Sequence, residues 1–193
     1  MLYLQGLLTS LSMGWGMGML KKLIYGLLGL FVIFLVIGLM LPTQYEVQRS
    51  IIIDAEPEAI YPNVVNLRAW PQWGVWFIRD PNMQITYSGP DRAIGMQSKW
   101  LSEVQGNGEV EIVQLEHNKR VAYQLRFVRK NIGSTGQVTL ESKPEGTRVT
   151  WTDSGKVSDN PMDRYAALMM DDILGPDIEM GLENLKTVVE NSG

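Results

Sequence analysis

The chain has 193 residues, a formal charge of −4 at neutral pH and no cysteine, which leaves room for one ordinary domain with appendages and enough length to bury a core unaided. Without cysteine there are no disulfides, thiolate nucleophiles, iron–sulfur clusters or cysteine zinc sites, and the redox state of the compartment stays open. Lysine and arginine are scattered through the folded part and build no basic patch, which argues against nucleic acid as a partner.

Residues 1–18 are apolar and glycine-rich but too broken for a membrane span, and read as an unstructured extension. Met19-Leu20-Lys21-Lys22 has the form of a translation start, so the natural start is either Met1 or Met19. From Leu23 to Leu41 the run LIYGLLGLFVIFLVIGLML carries no charge, and at about 1.5 Å per residue it is long enough to cross the hydrocarbon layer. A buried core helix would show a polar stripe over such a length. A cleavable signal would have a shorter apolar region with small residues before the cut, whereas Met40, Leu41 and Pro42 close this one. The expectation is an anchor helix over residues 19–42 and a domain over residues 43–193. Lys21 and Lys22 precede the span while Pro42-Thr43-Gln44-Tyr45-Glu46 follows it, which puts the N-terminus in the cytoplasm and the domain outside, the periplasm of a Gram-negative cell.

Beyond the anchor, Tyr45 to Asp54 is β-rich and Pro57 is well placed to open a helix. That helix runs to about Leu67, with Ile60, Val64 and Leu67 on one face and Pro62 keeping it short or bent. A tryptophan-rich stretch, AWPQWGVW, comes next. Alternating runs then occupy Met83–Ser88, Gly95–Val104, Gly108–Glu116, Arg120–Val128, Thr135–Ser142 and Thr147–Lys156, divided by turn sequences such as QGNG, HNK, RKNIG and KPEG. Strands joined by connections this short form an antiparallel meander. Val121, Tyr123, Leu125 and Phe127 share one face of their strand, as do Met96, Ser98 and Trp100, and Val149 and Trp151. The cover for that face is a helix from about Pro161 to Glu190, in which Ile173, Leu174, Ile178, Leu182, Leu185 and Val189 recur at helical spacing and Gly175-Pro176 is expected to break or kink the axis. The fold class is therefore α+β, a curved antiparallel sheet around a long C-terminal helix.

Four strings carry a resemblance: RSIIIDAEPEAIYPNVVNLRAWPQW, SGPDRAIGMQSKW, EGTRVTW and the closing LGPDIEMGLENLKTVVE. In that order, over roughly Tyr45 to Glu190, the chain resembles the START-like SRPBCC superfamily, and within it the bacterial polyketide cyclase/dehydrase-like proteins, many of which also look similar in having one N-terminal anchor helix. The resemblance implies a helix-grip (START/Bet v 1-like) fold enclosing a hydrophobic cavity for lipids, sterols, polyketides, quinones or hormones. It implies no single activity, since members range from carriers to cyclases and ring hydroxylases.

Chemistry-bearing residues are few. His117, the only histidine, sits in the polar tip Glu116-His117-Asn118-Lys119 and reads as a solvated turn residue. With one histidine and no cysteine the iron site of the ring-hydroxylase branch has no ligands here, and Asp171-Asp172 points to different sides of a helix; neither metal nor cofactor is expected. Glu109 and Glu111 are ordinary wet-face residues opposite Val110 and Ile112. Trp70, Trp73, Trp76 and Phe77 either pack the core beneath the short helix or line a cavity mouth or a membrane-facing edge. Met96, Trp100, Tyr123, Phe127 and Trp151 on the inner sheet face, with Met169, Met170 and Met180 from the helix, would give a soft apolar lining or a filled core. Asp153 shares the inward phase of Val149 and Trp151; at a strand's end it either meets solvent or serves, with Tyr123, as an acid–base group in the cavity. The leading expectation is a binder or carrier of a small hydrophobic or lipid-like molecule, contacted by Trp73, Trp76, Met96, Trp100, Tyr123, Phe127, Trp151 and Met169. The alternatives are a polyketide cyclase-like enzyme using Asp153 and Tyr123, and an envelope protein-interaction module with a filled core.

Overall fold

The computed structural model describes residues 13–127 and 132–192, and the side chains of residues 18–127 and 133–192. The first twelve residues of the expected extension, Val128 with most of the RKNIG turn, and Gly193 lie outside them. Helix α1 covers Met13–Met40, so helix reaches back past Met19 into the stretch expected to be unstructured. Its segment Gly18–Met40 is long and apolar enough to cross a membrane. Its side chains stand exposed almost throughout; Gly38 is buried and Phe34 and Leu35 are half-buried.

The domain follows as β1 (Gln44–Ile53), α2 (Pro57–Val65), a 3₁₀ turn (Trp70–Gln72), α3 (Val75–Arg79), β2 (Gln84–Ser88), β3 (Gln97–Leu101), β4 (Gly108–Glu116), β5 (Arg120–Phe127), β6 (Ile132–Lys143), β7 (Gly146–Lys156) and α4 (Pro161–Glu190). The strands form one antiparallel sheet of seven in the order β1-β7-β6-β5-β4-β3-β2, so the first strand closes on the last. This is the helix-grip arrangement, with α2, α3 and α4 on the apolar face. Pro57 opens α2 and Pro62 lies inside it, and the helix ends after nine residues.

Several boundaries differ from the alternation pattern: β6 begins at Ile132, three residues before the expected Thr135, and β3 is shorter than expected. The expected strand Gly95–Val104 contracts to β3 because Gly95 turns the chain at φ 89° and Ser102 ends the strand in a side-chain clasp. The Ser102 hydroxyl donates to buried Asp80 at 2.5 Å and accepts from the Gln105 amide at 2.7 Å. The five-residue helix α3 has no counterpart in the sequence reading, since one helical turn is too short to establish a period.

Helix α4 does not break at Gly175-Pro176; it runs unbroken from Pro161 to Glu190. A proline inside a helix removes one backbone hydrogen bond and costs about 3 kcal/mol, and packing on both sides of the site offsets it. Before the proline, Arg49 of β1 makes a two-point contact with Asp171 at 2.8 and 3.0 Å, its guanidinium lying against Gly175. After it, Arg79 of α3 holds Asp177 at 2.8 and 2.5 Å. Ile178, Leu182, Leu185 and Val189 are then buried against the sheet and α2 in the main core with Ile53, Ile60, Val64 and Val149.

At the β6–β7 turn Gly146 has φ +123° and its Cα faces the Ile53 carbonyl so closely that a side chain there would overlap it. Gly146→Ala is expected to lower unfolding free energy by about 2 kcal/mol, read as a drop in the urea midpoint with an unchanged slope.

Candidate functional site: an aromatic cavity with one acidic end

Between the concave sheet face, α3 and the first half of α4 lies a cavity of about 230 Å³. That is roughly eight times the ~30 Å³ a water molecule occupies in the liquid, a little below the size of common ligand pockets. Its wall is almost wholly apolar: Trp70, Trp76, Phe77, Met83, Trp100, Val110, Tyr123, Leu125, Phe127 and Trp151, closed by Met170, Leu174 and Ile178 of α4.

The rings meet edge to face. Trp76 stands against Trp151 at 5.9 Å, Trp70 against Tyr123 at 5.0 Å, and Trp100 against Phe127 at 6.2 Å, the arrangement aromatic quadrupoles favour. Three of the indole N–H groups are engaged elsewhere: Trp70 donates to the Val64 carbonyl at 2.9 Å, Trp100 to that of Gly106 at 3.0 Å, and Trp151 to the Tyr123 hydroxyl at 2.7 Å. With those donors satisfied, these three indoles present carbon to the interior.

Three of the rings lie over glycines on the adjacent strand. Trp100 pairs with Gly108, Tyr123 with Gly136 and Tyr45 with Gly155 in register. A Cβ at 108 or 136 would overlap the Trp100 or Tyr123 ring, and one at 155 would stand 2.6 Å from the Tyr45 hydroxyl. A glycine in a strand leaves a hollow that a neighbouring aromatic covers, so these rings lie down on the sheet and leave the space above them open.

One end of the cavity is polar. Asp153 is buried at 7 % exposure, contrary to the solvent-facing role that a strand end suggests. Its carboxylate accepts from the Ser134 hydroxyl at 2.9 Å and the Tyr45 hydroxyl at 3.2 Å. Burial pushes its pKa up to about 6, and those two hydrogen bonds hold back part of the rise. Burial likewise keeps the Tyr45 and Tyr123 phenols neutral well past their ordinary range, reinforced by the neighbouring Asp153 charge. Among the described residues no cluster of His, Asp or Glu is placed to hold a metal.

Of the residues singled out in the sequence, Trp76, Trp100, Tyr123, Phe127, Trp151 and Asp153 all line the cavity. Trp73, Met96 and Met169 do not. Trp73 is 1 % exposed and packs behind the wall between Trp70 and Trp151. Met96 is buried at the start of the inner face, its sulfur accepting from the Arg92 amide. Met169 points outward at 56 % exposure, and its neighbour Met170 takes the inner place, because one residue along a helix turns the side chain by about 100°. His117 is exposed at the β4–β5 turn as read, packed edge-on against Tyr61. The sequence reading missed Tyr45, Met83 and Ser134. Tyr45 had a signal, its period-two relation to buried Val47; Ser134 had none, because it meets Asp153 only across the β6–β7 pairing.

Comparisons with known proteins agree with this fold. Residues 44–190 match the model of the family described as polyketide cyclase / dehydrase and lipid transport. The chain belongs to that family. No curated protein matches the sequence. A Staphylococcus aureus protein of unknown function, SA2116, superposes with a TM-score of 0.61 at 14 % identity over 77 % of this chain and 95 % of its own. Protein MLL2253 of Mesorhizobium loti gives 0.56 at 18 % identity over 77 % and 98 %. The di-domain ARO/CYC StfQ of the steffimycin biosynthetic pathway gives 0.61 at 12 % identity, over 78 % of this chain and 52 % of StfQ, so the chain spans about half of it. At such identities the likeness is one of fold.

Two outcomes test the site's construction. Gly136→Ala is expected to cost about 1–3 kcal/mol by overpacking, and the cost should shrink in a Tyr123→Leu background because the two positions are coupled. Asp153 binds a proton more tightly in the folded state than its ordinary 3.8 allows. Between about pH 4 and 6 the folded chain thus holds more protons than the unfolded one, and stability falls as pH rises through that window, by roughly 3 kcal/mol in all. Asp153→Asn should flatten this slope and raise the melting temperature at pH 7.5, measured by scanning calorimetry.

Proposed function

We propose that the domain holds a small apolar or amphipathic molecule in this cavity, beside a membrane to which α1 anchors it. The observation that carries the reading is a hollow, ring-lined interior whose described polar features are few, Gln105 and a carboxyl–hydroxyl cluster at one end: apolar walls supply affinity and a few polar groups fix orientation. Trp76, Trp100, Tyr123, Phe127 and Trp151 are the proposed contacts, with Leu174 closing the cavity from α4. The volume suits an aromatic nucleus or part of an acyl chain and is too small for a whole two-chain phospholipid. The Tyr123 hydroxyl already accepts from Trp151, so its own proton is the natural donor to an oxygen on the guest. The anchor reading is supported by the bare apolar surface of Gly18–Met40, and Lys21 and Lys22 at its start favour a domain on the extracytoplasmic side. The family description, which includes lipid transport, supports the ligand class.

The full chain, carried in native-membrane nanodiscs and examined by mass spectrometry, should retain a reproducible small molecule above the lipid of empty discs. Leu174→Trp, which fills the cavity from α4, should lose it while keeping the fold. Equal retention by the variant, or nothing in either protein, would overturn the binder reading.

A second reading has one observation in its favour: a buried carboxyl with a pKa of about 6 is suited to acid–base work near neutrality. On that reading Asp153 moves a proton on an aromatic or polyketide-like guest while Tyr123 steadies an oxygen, as in a cyclase. Asp153→Asn would then abolish turnover and leave binding intact; unchanged turnover sinks it. An interaction module with a filled core has no comparable support, since the interior is hollow.

A further inference from the structure

We infer that the first half of α4 lies in the membrane surface, its outer apolar stripe covered by lipid, so that one helix forms both the membrane-facing side of the domain and a wall of the cavity. This rests on reading α1 as a membrane span.

The start of α4 is clamped to α1 below the end of the span. Tyr165 stacks on Phe34 at 4.2 Å between centroids, with planes 4° apart, and its hydroxyl donates to the Phe34 carbonyl at 2.7 Å. Pro161 sits so close over Gly38 that a Cβ there would be 2.8 Å from the Pro161 carbonyl. Arg164 donates to the carbonyls of Leu39 at 2.5 Å and Leu41 at 3.3 Å, which lie at the helix end where intrahelical partners run out, and where a cation is favoured. Phe34 precedes the end of α1 by six residues, about 9 Å along the axis. If α1 crosses the bilayer, α4 begins beside Gly38 near the end of the span and its first turn reaches back to the level of Phe34, so its opening residues lie at the edge of the hydrocarbon.

What α4 then exposes fits that depth. Met162, Met169, Ile173 and Met180 are 50, 56, 54 and 49 % exposed, and their spacing puts them within roughly 40° of one another on the helix circumference. They stand away from the buried face formed by Ala167, Ile178, Leu182 and Leu185. Leu168, 55 % exposed, continues the α1-facing side after Pro161, Arg164 and Tyr165. The stripe is thus continuous with the contact to the spanning helix, which commits it to lipid. Charge narrows the lipid. Asp163, Asp172 and Glu179 are exposed along α4 while Asp171 and Asp177 are paired to Arg49 and Arg79, so the attraction is apolar and anionic headgroups add nothing. Met170 and Leu174, which line the cavity, stand on the same turns as the stripe, so a molecule leaving the bilayer has one helix to pass.

Because the chain has no cysteine, single-cysteine variants report depth directly. Full-length Val32→Cys, Met169→Cys, Ile173→Cys and Glu145→Cys, each carrying an environment-sensitive fluorophore, are reconstituted in phosphatidylcholine vesicles. Quenching is measured with a nitroxide high on the lipid acyl chain and with aqueous iodide. Labels at 169 and 173 should be blue-shifted, quenched by the lipid nitroxide and shielded from iodide, with the label at 145 behaving oppositely; Tyr165→Phe should weaken the lipid quenching at 173. Iodide-quenched labels at 169 and 173, with 32 still quenched from within the lipid, would overturn the inference and leave the anchor standing. A blue shift without lipid quenching would mean that protein, such as a second copy of the chain, covers the stripe, and would overturn it as well. Failure of lipid quenching at 32 would remove the anchor reading and this inference together. None of these readouts depends on what fills the cavity.

Discussion

Trp100, Tyr123 and Tyr45 are each laid across a glycine of the next strand, and the rest of the interior depends on that contact. A large ring standing upright from the concave face would fill the space beneath α4; folded down over Gly108, Gly136 or Gly155, it covers backbone instead. The Trp100 indole N–H is spent on the Gly106 carbonyl and that of Trp151 on the Tyr123 hydroxyl, both within the wall, while the Tyr45 hydroxyl belongs to the acidic end. The cavity is therefore a product of cross-strand register as much as of composition. A shift of one residue in any of these pairings would turn rings outward and glycines away from them.

Closure of the sheet brings the two ends of the chain's folded part together. Pairing of β1 with β7 sets Tyr45 beside Asp153, and β6 on the other side of β7 contributes Ser134. The acidic end of the cavity is thus assembled from three strands. Its carboxyl is protonated or charged according to pH near 6 because the burial that makes the cavity apolar also opposes charge there. A neutral acid can donate to a guest and a charged one can accept from it, so this end can serve a binder or an acid–base catalyst equally well.

Helix α4 links the cavity to α1. Arg49 and Arg79 fix its middle despite Pro176, its C-terminal half packs the core, and its first turns grip α1. Its N-terminal half is the least buried portion: only Ala167 is fully buried before Gly175. Apolar side chains on both its inner and outer sides give that half fewer reasons to stay put than the half beyond Pro176, which is where a ligand-admitting element would be drawn from.

The order of the strands and of helices α2 and α4, the strand faces and the apolar helix near the N-terminus were legible from periodicity, because alternation and helical spacing are local properties of the chain. Strand-borne Trp100, Tyr123, Phe127, Trp151 and Asp153 could be assigned to the inner face for the same reason. Helical and loop residues could not be assigned to the cavity. Met169 and Met170 differ only in phase, which the packing of α4 sets, and Trp73 and Trp76 differ only by the turn into α3. The contraction of β3, the continuity of α4 through Pro176 and the pairing of Asp153 with Tyr45 and Ser134 depend on partners distant in sequence. Whether the interior is full or hollow was likewise beyond the pattern, since an apolar face reads the same above a packed core and above a cavity; three-dimensional register decided it, by setting rings over glycines.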